Sequence, residues 1–238
     1  MAKEKKDDLE LYNKIASTWW DKDGKMHTLR LLNEPRFVFF DRFVPDFKGL
    51  KVIDIGCGGG FCAEFLAKRG AHVTGTDPSE GLLKTARAHA QESKMDIHYV
   101  QGVGEKIPLP DNEFDVAVCV DVFEHVDDPG KVANEVFRLL KPGGVFLFDT
   151  VNRTIKSRII MIWLLEHITR AIPRGVHQHN KFIKPEELTQ YLLAAGFKDL
   201  NMTGLQIKGK DPVTKKLRTE IGPDMSVLYI GCAVKPKV

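Results

Sequence analysis

Four glycines crowd into five positions, Gly56 and Gly58 through Gly60, between the apolar run KVIDI and the helix-forming run FCAEFLAKRG. Glycine inside a helix or strand costs about 0.5–1 kcal/mol relative to alanine. So dense a run belongs to a turn, with a strand ending before it and a helix starting after it. That unit begins the open α/β sheets, and its turn lies at the carboxyl ends of the strands, where their ligands bind. Gly56, Gly58 and Gly60 would leave the backbone bare for a ligand lying across those ends. Asp77 closes the next β-rich run, HVTGTD, where an acid can hold ribose hydroxyls. A tight turn with no ligand is the plain alternative.

The alternation continues. IHYVQG, FDVAVCV and VFLFDTV read as a third, fourth and fifth strand. SEGLLKTARAHAQES reads as a helix with Ser79 as N-cap, and PGKVANEVFRLLKPGG as a helix stopped by Pro-Gly-Gly. Strands and helices alternating through short linkers predict a parallel sheet covered on both faces. Ahead of the sheet, NEPRFVFFDRFVP predicts a short helix from near Pro35 to near Pro45. After Arg153 the rhythm breaks. TIKSRIIMIWLLEHITRAIPRG reads as one long helical insertion, and KPEELTQYLLAAGF as a regular helix with Gly196 as its stop. DLNMTGLQI and SVLYIGCAV are two closing β-rich runs. The expected fold class is α/β: a Rossmann-like, doubly wound, mostly parallel sheet with an N-terminal helical cap and a helical insertion after the fifth strand. At 238 residues the chain is expected to be a single domain. Its parts are a cap at 1–48, a cofactor-binding core at 49–152, an insertion at 153–184 and the C-terminal part of the sheet at 185–238.

The ligand can be narrowed. A dinucleotide fingerprint needs G-x-G-x-x-G, and its third glycine position is Phe61 here. Asp54, two residues before the first glycine, has no role in that fingerprint. It suits a ligand that carries an ammonium group and no pyrophosphate, and S-adenosylmethionine fits that description.

VIDIGCGGG, GTDPSE, FDVAVCVDVFEHVDDP and LLKPGG together resemble the successive motifs of class I S-adenosylmethionine-dependent methyltransferases, over about residues 50–150. A closer resemblance spans nearly the whole chain. STWWDKDGKMHTLRLLNEPR, TVNRTIKS and IPRGVHQHNKFIKPEEL resemble the ubiquinone-pathway 3-O-methyltransferases, which methylate catechol-type hydroxyls on a polyprenylated ring. That resemblance implies cofactor contacts at Arg36 (carboxylate end), Gly56 (turn), Asp77 (ribose), Val120 (beside the ligand), and Gly104 and Glu105 (near the adenine). It also implies a pocket-facing His177, with His179 on the surface. DMSVLYIG, residues 224–231, departs from the family's tail, and a different acceptor follows if that segment lines the acceptor site.

Asp121, Glu124 and His125 follow the fourth strand at i, i+3, i+4, a spacing that puts three groups on one side of a helical turn. Two carboxylates and an imidazole can hold Mg²⁺ or Mn²⁺ with coordination positions open. The resembled family uses these positions in that way, with Glu where this chain has the shorter Asp121. Without metal, His125 is the alternative general base. A phenol ionises near pH 10, so either device serves to make the attacking oxyanion.

Between Lys156 and Arg174, an apolar run containing Trp163 is bracketed by Lys156, Arg158, Arg170 and Arg174. Such a segment can lie on an anionic membrane surface, cover the substrate pocket, or be a buried core helix. The resemblance favours a lid that also touches membrane. No run approaches the roughly 20 apolar residues of a membrane span, and MAKEKKDDLELYNKIAS lacks a signal peptide's apolar core. Cys57, Cys62, Cys119 and Cys232 form no C-x-x-C pair, so reduced thiols are expected. These features predict a cytoplasmic location, with possible contact at the inner face of the membrane. A net charge of +3 gives no ground for nucleic acid. The leading expectation is methyl transfer to a phenolic or catechol oxygen. Its rivals are a methyltransferase for N, S or C acceptors, a nicotinamide-dependent oxidoreductase, and a cofactor-binding protein without turnover.

Overall fold

In a computed structural model that describes residues 2–22, 24, 26–168, 175–214 and 216–237, eight strands form one sheet in the order β3-β2-β1-β4-β5-β8-β6-β7. The strands β1 (Lys51–Ile55), β2 (His72–Asp77), β3 (Ile97–Gln101), β4 (Phe114–Cys119) and β5 (Leu140–Val151) pair in parallel. β1 and β4 are buried along most of their length, as strands covered on both faces must be. Val52 and Ile53, for example, face opposite sides of β1 and both are fully buried. β8 (Leu228–Val234) inserts antiparallel between β5 and β6 (Lys198–Lys210). The edge strand β7 (Leu217–Gly222) is a third closing strand where two were expected, and forms a hairpin with β6.

Helices α3 (Phe61–Lys68) and α4 (Glu80–Glu92) cover one face, where Leu66, Leu83 and Ala86 join Val52, Val73 and Val118 in one core. α5 (Pro129–Leu139) and α7 (Pro185–Ala195) cover the other, where Val132, Val136, Leu188 and Leu192 pack with Ile53, Phe146 and Phe148. The expected caps are present. Ser79 Oγ accepts the Leu82 amide at 3.1 Å, and Gly196 takes the left-handed conformation at φ 106°.

Two segments differ from expectation. The helix placed near Pro35 instead runs from His27 to Phe40 as α2, after α1 (Ala2–Ile15), with Pro35 in its interior. Asn33, Arg36, Phe37, Phe39 and Phe40 are all buried there, so packing outweighs the proline's local cost. The insertion starts as a short α6 (Ile155–Ser157) and continues from Arg158 to Ile168 in the wider π-helical winding. Arg170 and Arg174 lie outside the described residues. Among those described, no helix is long and apolar enough to cross a membrane.

Candidate active site

At the turn after β1, φ is 69° at Gly56, 54° at Gly58 and 96° at Gly60, the left-handed region that side chains disfavour. The turn is also close-packed. A Cβ on Gly58 would lie 2.7 Å from Trp19 Cζ2, and one on Gly59 only 2.4 Å from Trp19 Cδ1. The chain's own indole, carried in by the cap, therefore explains part of the glycine run that was reserved for a ligand. Trp20 completes the attachment: its Nε1–H donates to Gly59 O at 2.8 Å, and its ring stacks on His89.

A cavity of about 270 Å³ opens at the carboxyl ends of the strands and is lined by eleven of the residues singled out in the sequence, though not by Gly60. Arg36, Asp54, Gly56, Gly58, Asp77, Gly104, Glu105 and Val120 reach it beside Asp121, Glu124 and His125. Asp77 Oδ2 accepts the Gly58 amide at 2.9 Å and its Oδ1 the Ser79 amide at 2.8 Å, which ties the end of β2 to the glycine turn. Burial still lifts the Asp77 pKa to about 6, against the pull of those two bonds. Asp54 is 1% exposed, and neither of its oxygens has a hydrogen-bond partner. Burial pushes it up to about 8, helped by the neighbouring Asp77 charge, while the nearby Ala63 amide and the Arg36 charge pull the other way. A buried acid without partners makes a receptor for a cation.

Across the cavity the charges meet one another. Arg36 is 2% exposed, donates Nε–H to Asp149 Oδ2 at 2.5 Å and pairs with Asp121 through its Nη2. Burial alone would lower its pKa, but the two carboxylates outweigh that and keep it charged. Asp149 Oδ1 also accepts the Asp121 amide at 2.8 Å, which helps hold Asp121 at φ 54°. Glu124, 2% exposed, accepts the Thr150 hydroxyl at 2.6 Å, and burial followed by the Asp121 charge raises its pKa. His125 is pushed down to about 3 by burial and then by His177 and Lys181, so its ring is neutral.

A family model described as a methyltransferase domain matches residues 53–148. Over 235 residues the chain is 37% identical to a ubiquinone biosynthesis O-methyltransferase of Idiomarina loihiensis, covering 97% of this chain and 93% of that one. The chain belongs to the ubiquinone biosynthesis O-methyltransferase family. As a member it is an S-adenosylmethionine-dependent O-methyltransferase. The fold is shared by an S-adenosylmethionine-dependent methyltransferase of Thermotoga maritima, 20% identical, with 95% and 99% of the two chains covered and a TM-score of 0.69. It is also shared by the magnesium protoporphyrin IX methyltransferase of Synechocystis with bound S-adenosylhomocysteine, at 18% identity, 94% and 98% coverage and a TM-score of 0.65.

The three residues expected as metal ligands in this O-methyltransferase do not assemble as expected, because the Asp121 carboxylate sits on Arg36. Among the described residues, the grouping within metal reach is Glu124, His125 and His177, whose donor atoms all lie within 4.8 Å of one another. His177 arrives from the loop before α7 and lines the cavity, while His179 Nε2 lies 3.0 Å from Thr154 O. Asp149 was missed. Its signal was available, because an acid inside the apolar strand VFLFDTV must be buried and therefore needs a partner.

Proposed function

We propose that this methyltransferase transfers the methyl group of S-adenosylmethionine to a phenolic or catechol oxygen on a polyprenylated quinone precursor. The observation that carries the reading is one cavity with Asp54 unpartnered at one end and Glu124, His125 and His177 gathered at the other. The cofactor's ammonium group answers Asp54, its ribose hydroxyls lie on Asp77, and its adenine lies by Gly104 and Glu105. Its carboxylate lies toward Arg36. Apolar side chains, Leu29, Leu32, Met161, Leu165 and Leu228 among them, line the space left for an acceptor ring and the start of its tail. Leu228 belongs to the tail segment that departs from the family, so this segment tunes the acceptor within the proposed class.

In the reaction the acceptor oxygen forms a bond to the methyl carbon as the carbon–sulfur bond breaks. The bonding pair goes to sulfur, and the hydroxyl proton leaves to a base. Holding oxygen, methyl carbon and sulfur in line supplies much of the rate. One carboxylate and two imidazoles also fit a divalent ion. Two imidazoles do not suit Mg²⁺, which takes oxygen ligands. We therefore propose that Glu124, His125 and His177 hold a divalent transition ion such as Mn²⁺, which would supply Lewis-acid stabilisation of the phenolate. The organisation proposed is one unit over 1–238, cytoplasmic, with the insertion covering the acceptor end and resting on the inner face of the membrane. Exposed Ile159 and Trp163 on that insertion support the membrane contact.

Turnover of labelled S-adenosylmethionine against a panel of catechols, with and without EDTA, tests the reading. Methylation that chelation abolishes and Mn²⁺ restores is the expected result. Full activity in excess EDTA removes the metal and leaves the proton to the histidines. Asp77→Ala is expected to weaken S-adenosylhomocysteine binding by about 1.5–3 kcal/mol, and unchanged affinity in calorimetry would withdraw the ribose assignment.

A further inference from the structure

Glu166 lies on the π-wound insertion and is 1% exposed, whereas Ile159 and Trp163 on the same segment are exposed. A carboxylate buried that deeply needs donors, and it has three. Its Oε2 accepts the Gly175 amide at 2.7 Å, and its Oε1 accepts the His177 amide at 2.9 Å. The third partner is His177 Nδ1, 2.8 Å from Oε1. Both Glu166 oxygens already act as acceptors toward backbone amides, so the geometry places the donor at Nδ1 and leaves Nε2 as the acceptor nitrogen of the ring. His177 is itself 7% exposed, its ring centroid is 5.5 Å from that of His125, and it faces the cavity beside Glu124.

We infer that Glu166 is a positioning residue of the methyl-transfer site: it fixes the tautomer and orientation of His177, so that the imidazole at the acceptor end accepts a proton or a metal only while the insertion is seated. This role presupposes that the acceptor binds beside Glu124 and His125, as proposed for the site as a whole. It gives the insertion a chemical task besides covering the cavity. Met161 and Leu165, which precede Glu166 in the same segment, line the cavity. An acceptor that packs against them thus steadies the element that aligns His177.

The test uses the full-length protein with S-adenosylmethionine and a catechol carrying one five-carbon prenyl unit. His177→Gln is expected to lower kcat about 100-fold, the lower part of the range for proton-transfer groups. Glu166→Ala is expected to lower kcat about 10- to 100-fold, as for carboxylates that orient a histidine. The double variant should be no slower than His177→Gln alone, because Glu166 then has nothing left to orient. Affinity for S-adenosylhomocysteine should stay within about twofold in all three. Nitrogen NMR of the cofactor-free protein reads the tautomer directly: Nδ1–H at His177 in the wild type, and a shift toward Nε2–H in Glu166→Ala. Losses that multiply in the double variant, or an unchanged tautomer in Glu166→Ala, would overturn the role. Should Glu166→Ala not fold, Glu166→Gln decides through the same tautomer signal, since one carbonyl oxygen replaces two charged acceptors. A wild type that leaves the catechol unmethylated counts against the acceptor reading alone, and the NMR result still judges Glu166.

Discussion

At the end of the cavity built by β1 and β2, Asp54 is buried with both oxygens unpartnered, whereas at the β4 and β5 end Arg36, Glu124 and His177 are each answered by a neighbour. At the first end the burial of Asp54 carries an electrostatic cost. The second is complete as a fold, and its groups become available to chemistry only through the orientations their partners impose. Removing a charge should therefore have opposite effects on stability at the two ends.

The largest effect is expected for Arg36→Ala, which leaves Asp149 and Asp121 without their cation. Loss of one partner from a buried ion pair costs about 3–5 kcal/mol, readable by urea denaturation. A loss below about 1 kcal/mol would mean that Asp121 and Asp149 do not depend on this charge.

At the other end Asp54→Asn should leave the ligand-free protein more stable than the wild type at pH 8. The sign follows from the raised pKa. Between the unfolded value near 4 and the folded value of about 8, the folded state holds a proton that the unfolded state has released. Wild-type stability therefore falls as pH rises through that window. Cofactor affinity runs the other way, because an ammonium ion favours ionised Asp54. Binding of S-adenosylhomocysteine should tighten by up to about tenfold per unit from pH 6 to pH 8, and calorimetry on Asp54→Asn should show that dependence lost. An equally steep slope in the variant would assign it to Asp77 or another group.

The smallest effect concerns the outer face of the insertion. Each basic residue near an anionic surface contributes about 1 kcal/mol. Lys156 already pairs with Asp224 at 3.1 Å, so Lys156→Gln should weaken liposome binding less than Arg158→Gln does. Trp163, 63% exposed, should report the contact by fluorescence, with a signal that fades as salt is added. A wild type indifferent to anionic liposomes at low salt would make the insertion a lid alone.

The cofactor end was legible because its residues are close in sequence and bound to one local geometry: strand, glycine turn, helix and the acid ending β2. The acceptor end was legible only in part. Glu124 and His125 stand out at helical spacing, but their neighbour His177 comes from a loop 52 positions later and is aligned by Glu166, a distance no spacing rule spans. Asp121 was assigned to the metal because it shares that spacing. A buried arginine more than eighty residues earlier takes it instead. The boundary of α2 was misplaced for a similar reason, since Pro35 is a strong local signal that burial of Arg36, Phe37 and Phe40 overrides.

The position of β8 has a consequence for synthesis. It leaves the ribosome after β5, β6 and β7, yet it fills the gap between β5 and β6 and pairs with Val145 through Val151 along its whole length. Until it arrives, β5 presents an open apolar edge able to pair with another nascent chain. The cofactor end can form during translation, but the sheet cannot close until Leu228–Val234 is free. Chains stalled before that point would carry a recognisable glycine turn and no finished enzyme.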